Sequence, residues 1–199
     1  MIKALLLKEA GYNEALLGFG LAMKPRSAEI SDWWTREKEN KVARTFEANA
    51  GRGNGHDKGL RMIQTWWHLD MPRFLSQEFA TYKVGTTSSS ASTMHRGVYE
   101  PVTIDCFDTT GFDSSDTLAM DFIIERMNFA IEDKDLVKFK KLLPESYMLE
   151  QIWNANYAVL NAIIAQRHNH RLEGWQELIV AFRTQVAHPE LLIGPKVYD

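Results

Sequence analysis

Apolar and polar residues alternate in ways that divide the chain into short strands and helices. Met1–Lys8 carries an apolar run short enough for a buried strand, which Gly11 ends. Asn13–Met23 then shows helical spacing through Leu16, Leu17 and Leu21, weakened by Gly18 and Gly20 and stopped at Lys24-Pro25-Arg26. Ser31-Asp32 supplies the cap of a helix over Trp33–Phe46 with a densely charged outer face. From Leu60 to Met71 the period falls to two. Ile63, Thr65, Trp67 and Leu69 share one face, and Gln64, Trp66, His68 and Asp70 the other, which predicts a strand. Pro72 suits a first helical turn, and Phe74, Leu75, Phe79 and Tyr82 form one stripe as far as Lys83, with Glu78 beside it.

Beyond Gly85 the polar run TTSSSASTMHR reads as an ordered loop, since hydrophobic sequence flanks this short segment. Tyr99–Gly111 is irregular, with VTIDCF a short strand candidate. Asp113–Asp116 caps a helix to Ile131, with Leu118, Phe122, Ile123 and Met127 expected inward. A shorter helix over Asp135–Leu142 leads to Leu143-Pro144, and a long one is expected from Ser146 to Arg167. The last helix, Leu172–Val186, uses Trp175, Leu178, Ile179 and Phe182, and the tail from His188 is coil. Helices dominate, with two or more strands, so the expectation is an α+β fold, helix-rich with a small sheet, as a single domain over residues 1–199.

Composition narrows the class without naming a chemistry. The 199 residues suffice for one buried core, and 45% hydrophobic with 25% charged residues is ordinary for a globular chain. A net charge of −3 gives no sign of a nucleic-acid binder, which would show a basic face. The single cysteine, Cys106, excludes an internal disulfide and fits a reducing compartment. No apolar run reaches the roughly 20 residues of a membrane span, and MIKALLL is too short for a secretory signal, so a cytoplasmic protein is expected.

Candidate chemistry is sharpest at Arg167. On one continuous helix Leu149, Trp153, Asn156, Leu160, Ile163, Ile164 and Arg167 fall within an arc of about 100°. A guanidinium on a buried face must meet a carboxylate, a phosphate or a water-filled cleft. A structural ion pair and a ligand-anion site therefore both remain open for Arg167, and Asn156 would add an amide to the second. His168, His170 and His95 make a poor metal set, because His-x-His lies on opposite sides of a helix and no acidic partner completes it. The serine-rich run has no Gly-x-Ser-x-Gly elbow, and its hydroxyls suit an anion better than a nucleophile's role. GRGNG, residues 51–55, has no phosphate-loop spacing and reads as a turn.

Several of these stretches together resemble the flavin-dependent thymidylate synthases, in a divergent, phage-type form. The family pattern runs His-Glu-Thr-Pro-Phe-Glu-His, a strand ending in Ala-Pro, a helix with Arg-Gln-Trp, and R-H-R-x-x-S-x-N-E-x-S-x-R. Without a gap, His56-Asp57 falls on His-Glu and Met71-Pro72 on Ala-Pro. Gln77-Glu78-Phe79 falls on Arg-Gln-Trp, and Thr81-Tyr82-Lys83 on Arg-His-Arg. Lys140 with Leu143-Pro144 follows the family's Ala-Arg-x-x-Leu-Pro, and Trp153, Asn156, Arg167 and Trp175 follow its later pattern. The spacing agrees over about two-thirds of the chain. The catalytic identities do not: the motif's Ser and Asn are Thr86 and Ser88, its Glu is Ser89, and its last Arg is Thr93. Arg61 stands at a flavin-contacting Glu, and Ala158 replaces an Arg.

The resemblance implies a one-carbon transfer to C5 of dUMP or a related pyrimidine nucleotide. FAD would be the cofactor, methylenetetrahydrofolate the donor and NADPH the reductant. It gives Arg167, Lys140, Glu78, Ser89, Ser90 and Ser92 to the nucleotide, and His56, Tyr82, Lys83 and Asn156 to the flavin. It also implies a homo-oligomer, a tetramer, working in the host cytoplasm if phage-encoded. The alternative is a non-catalytic nucleotide-binding or interaction protein on the same scaffold.

Overall fold

The computed structural model describes residues 2–50, 52, 55, 57–93 and 100–192. His56, His95, three residues of the 51–55 loop and the tail from 193 lie outside them. The strands are β1 (Lys3–Ala10), β2 (Gln64–Pro72), β3 (Thr86–Ser90) and β4 (Met148–Asn156), forming one antiparallel sheet in the order β1-β2-β4-β3. The helices are α1 (Tyr12–Gly20), α2 (Ile30–Trp33), α3 (Arg36–Asn49), α4 (Arg73–Phe79), α5 (Ser114–Glu132), α6 (Leu136–Leu142), α7 (Tyr157–Arg167) and α8 (Gly174–Gln185). The α+β expectation holds, and so does the alternation of β2, which buries Thr65, Trp67, Leu69 and Met71 and leaves the intervening residues half-buried.

Contacts along the chain fall into two compact units. The first comprises Met1–Ala4, His68–Thr81 and Ser88–Ile152. Its hydrophobic cluster joins Met120, Met127 and Ala130 of α5 to Phe139 of α6 and to Val102, Phe107 and Leu143. Asp113 starts α5 with a capping box: its carboxylate accepts from the backbone N–H of Ser115 and Asp116, while Asp116 accepts from the Asp113 N–H. Asp135 caps α6 by accepting from Lys138 N–H at 2.9 Å. The Asn128 amide brackets Val102, accepting from its N–H at 2.8 Å and donating to its carbonyl at 3.0 Å. That bracket pins an irregular segment to α5. VTIDCF does not form the expected strand; it holds a 3-10 turn over Ile104–Cys106, followed by an isolated antiparallel bridge from Phe107 to Tyr147.

The second unit comprises Leu5–Trp67, Tyr82–Thr87 and Trp153–Asp199. Its core is aromatic: the Phe182 ring meets Trp67 edge-on at 4.9 Å and lies near-parallel to Trp153 at 5.9 Å. Thr65, fully buried, donates to the Ala155 carbonyl and accepts from the Trp67 indole N–H, both at 2.8 Å, so two polar groups of the interior satisfy each other. At β1, Leu6 N–H donates to Gln185 Oε1 and Ala187 N–H to Glu9 Oε2, each at 2.8 Å. Tyr157 is buried beside Glu9, and burial first, then that carboxylate, push its phenol well above the ordinary tyrosine range.

Other expectations fail as well. Ser31-Asp32 caps no helix over Trp33–Phe46: both lie inside the short α2, and Thr35 caps α3 by accepting from Lys38 N–H. Ser146–Arg167 is not one helix: Met148–Asn156 is β4, and only Tyr157–Arg167 is helical. Asn156 belongs to the turn between them, where its side chain accepts from Val159 N–H at 3.1 Å and caps α7. Its shared helical face with Arg167 therefore does not exist. On α5, Leu118 and Phe122 point out rather than in, because Met120, Ile123, Ile124 and Met127 hold the opposite, core-facing side. The TTSSSASTMHR run, expected as a loop, instead forms β3 over Thr86–Ser90 at one edge of the sheet.

Candidate functional site

The second unit builds its most specific polar geometry around Arg167. α7 ends there, and Gln176 of α8 closes the helix by donating its amide to the carbonyls of Arg167 (3.1 Å) and His168 (2.7 Å). The guanidinium carbon lies 4.8 Å from the centre of the Trp175 ring and 5.8 Å from that of Tyr82. Trp175 is fully buried, so it offers a fixed platform for the cation. Arg167 Nε donates to the Tyr82 hydroxyl at 3.1 Å, and that hydroxyl donates to Gln166 Oε1 at 3.0 Å. Tyr82 in turn meets the Trp175 ring edge-on at 6.0 Å. The plane of the guanidinium is therefore fixed by one aromatic and its Nε by another. Such a fixed plane suits paired N–H donors to a planar anion or a phosphate.

At the other end of α7 a second contact fixes the Tyr82–Thr87 segment. Gly85 has φ +78°, and a Cβ built on it would sit 2.6 Å from Asn156 Nδ2 and 3.3 Å from Val159 Cγ2. Only glycine fits this turn without moving the amide. Asn156 is 7% exposed, with its oxygen on the helix cap and its nitrogen against Gly85. Lys83 between these contacts is exposed. The structure thus brings Tyr82 and Arg167 into contact, and holds Asn156 about 16 Å of helix away from Arg167.

The remaining expected residues belong to the first unit. Lys140, exposed on α6, donates to Thr93 Oγ1. Glu78 is half-buried on α4, where its carbonyl accepts from the N–H and the hydroxyl of Thr81. Ser89 and Ser90 are exposed on β3, and Ser92 is exposed just beyond it. A further polar pair had no counterpart in the sequence reading: His68 Nε2 and Glu150 Oε1 lie 2.6 Å apart across β2 and β4. The signal existed, since His68 sits on the outer face of β2, but Glu150 was assigned to a helix. Gln166 and Gln176, which position Tyr82 and the end of α7, were also missed; glutamines carry no motif that would flag them.

A polar cleft of roughly 300 Å³ in the first unit is lined by Lys3, Asp70, Asp105, Asp108, Thr109, Ile104, Phe107 and Met148. None of the expected site residues lines it. Its acidic lining is wrong for a phosphate. Among the described residues no group of three or more His, Cys, Asp or Glu is placed to hold a metal ion, and no helix is long and apolar enough to cross a membrane.

A flavin dinucleotide brings a diphosphate, which calls for cations or clustered N–H donors. Of the Thr81-Tyr82-Lys83 segment, Lys83 alone is cationic, and the Tyr82 hydroxyl is engaged by Arg167 and Gln166. These side chains fit a single phosphate better than a diphosphate.

No protein-family model matches the sequence, and no curated protein is similar to it at the sequence level. Solved structures are similar in fold. Thymidylate synthase X from Helicobacter pylori, crystallised with FAD and dUMP, superposes with a TM-score of 0.77 at 13% identity, over 97% of this chain and 98% of that one. A second structure of the flavin-dependent enzyme from Helicobacter pylori, also with FAD and dUMP, gives 0.73 at 13% identity, covering 96% and 98%. A UMP/dUMP methylase from Streptomyces cacaoi, bound with 5-Br dUMP, gives 0.66 at 13% identity, covering 92% and 89%. From end to end, this chain has the fold of the flavin-dependent thymidylate synthases.

Proposed function

We propose that this chain is a flavin-dependent thymidylate synthase-like protein that binds a pyrimidine nucleotide such as dUMP. Its reaction would be transfer of a one-carbon unit to C5 of the base. The observation that carries the reading is the near-complete superposition on enzymes crystallised with dUMP or a dUMP analogue. In this reading Arg167 holds the nucleotide phosphate. Trp175 and Tyr82 fix the guanidinium beforehand, so less side-chain freedom is lost on binding. The roles that the resemblance gives to Lys140, Glu78, Ser89, Ser90 and Ser92 are separate expectations, each open to substitution. FAD, when bound, would supply the redox chemistry and carry the one-carbon unit; the segment at Tyr82-Lys83 and Asn156 is where this reading looks for it. No step is assigned through the flavin, because the side chains there fit a diphosphate poorly.

That poor fit favours a second reading, a nucleotide-binding protein without the transfer activity on the same scaffold. Two measurements separate the readings. Calorimetry with dUMP on the purified protein tests nucleotide binding, and Arg167→Ala should weaken it roughly 10- to 100-fold, the worth of a charge-assisted hydrogen bond. FAD titration by visible absorbance and fluorescence, with dUMP present, then tests the cofactor. Uptake of FAD supports the enzyme; dUMP binding without FAD uptake supports the second reading; absence of dUMP binding defeats both.

A further inference from the structure

A helix that ends in arginine has a ready use for it. The last carbonyls of an α-helix lack partners within the helix and carry partial negative charge, and a basic side chain in the last turn commonly folds back on them. Such a helix end also repels a phosphate. Arg167 is the last residue of α7, so the phosphate role read for it meets both difficulties at once. Donors from beyond the helix meet them. His168 donates its backbone N–H to the Ile164 carbonyl at 3.1 Å and its ring Nδ1–H to that of Ala165 at 2.9 Å. Gln176 takes the two carbonyls at the tip, those of Arg167 and His168, with one amide nitrogen, and adds no charge in doing so. The His170 N–H joins it on the Arg167 carbonyl at 3.0 Å.

The place of Gln176 in α8 adds a second consequence. It follows Trp175 in the first turn of that helix, and Trp175 is the buried ring that carries the guanidinium at 4.8 Å. Two neighbouring residues thus grip the end of α7: the amide holds its carbonyls, and the indole carries its side chain. His170 meets the same indole edge-on at 6.1 Å, and its Nδ1 accepts from Leu172 N–H at 3.2 Å, which ties the intervening turn to that ring. We propose that Gln176 is a positioning residue for nucleotide binding. By occupying the carbonyls of Arg167 and His168 it keeps the Arg167 guanidinium on Trp175 and Tyr82, instead of on its own helix end, and so sets the affinity for a phosphate. The proposal rests on the reading of Arg167 as the phosphate site and extends it to a residue that acts through Arg167.

The test follows two signals in the full chain. The first needs no ligand: the Arg167 Nε–H resonance, identified by its loss in Arg167→Ala, should be displaced by the Trp175 ring current and slowed in solvent exchange by the bond to Tyr82. The second is the dissociation constant of dUMP by calorimetry. Gln176→Leu keeps the bulk but donates nothing; it should return the Arg167 signal to the range of exposed arginines and weaken dUMP binding about tenfold. Gln176→Glu has the same shape with a carboxylate that draws the guanidinium off the ring, and should weaken binding about a hundredfold. Gln176→Lys donates to the carbonyls again and should restore the Arg167 signal, which an added charge alone does not do. Urea unfolding shows that each variant is folded; should Gln176→Leu misfold, Gln176→Glu and Gln176→Lys carry the test. An Arg167 signal unmoved in folded Gln176→Glu, a moved signal with unchanged dUMP affinity, or no return of the signal in Gln176→Lys overturns the proposal and leaves the nucleotide reading standing. A wild type that binds no dUMP overturns the reading, and with it the phosphate role of Gln176, whatever the signal does.

Discussion

Replacing Gly85 by alanine tests whether the turn after Tyr82 and the cap of α7 are one device. The added methyl meets two separate penalties. At φ +78° an L-residue is strained by about 1–2 kcal/mol whatever surrounds it. In addition, the new carbon would lie 2.6 Å from Asn156 Nδ2, so the amide must move and the hydrogen bond from Val159 N–H is lost, at about 1 kcal/mol for an N-cap. Together these give about 2–3 kcal/mol. Gly111 supplies the control: its φ is +83°, but nothing lies within 4 Å of an added Cβ, so Gly111→Ala meets only the backbone penalty. Urea unfolding at 25 °C should therefore show Gly85→Ala destabilised by about 1 kcal/mol more than Gly111→Ala, at unchanged slope. In an Asn156→Ala background most of the excess should vanish, because the amide it collides with is gone and only the 3.3 Å approach to Val159 Cγ2 remains. Equal losses at the two glycines, or an excess undiminished by Asn156→Ala, would refute the coupling.

Three other outcomes follow from the same contacts. Thr65→Val keeps shape but strands the Trp67 indole N–H in the interior, and should cost about 1–3 kcal/mol in a urea titration. Trp175→Ala should cost about 3–5 kcal/mol from lost packing, and should also weaken dUMP binding, because Arg167 loses its platform. The Tyr157 phenol is held protonated by burial and Glu9, while the unfolded chain ionises near pH 10.0. The unfolded state then binds fewer protons than the folded one, so stability is intact below that pH and falls as pH rises above it; Tyr157→Phe should flatten the fall seen in unfolding curves between neutral and alkaline pH.

Much of the fold was legible because hydrophobicity and position agreed. β2 alternates cleanly, and α5 and α6 announce themselves through Asp113 and Asp135 at their caps. β4 was hidden because the agreement is reversed there. Its inward residues are Gln151, Trp153 and Ala155, and Ile152 between them is exposed, so the period of two is masked and a helical stripe emerges instead. Asn156, taken for a mid-helix side chain, was in fact a strong start signal for α7. On α5 periodicity identified the helix but could not choose between its two apolar sides. Of the site, Arg167 was readable as a charge that needs company, whereas its companions Tyr82 and Trp175 come from other segments, which no local spacing connects. β3 is polar on both faces, so only its pairing reveals it as a strand.

The hydrogen bonds that tie β1 to the far end of the chain have a kinetic meaning. Leu6 and Gln185 are 179 residues apart, and Glu9 and Ala187 are 178 apart. Closing so large a loop adds little to the equilibrium cost, which grows only logarithmically, but it delays contact formation. During vectorial synthesis β1 cannot meet these partners until the roughly 180 residues between them have been made. Leu5 and Leu7, about half exposed in the folded chain, spend that interval beside unpaired backbone groups. β1 is thus a strand whose side-chain partners arrive last, and any delay between the synthesis of Glu9 and that of Ala187 lengthens the interval in which Leu5 and Leu7 stay uncovered.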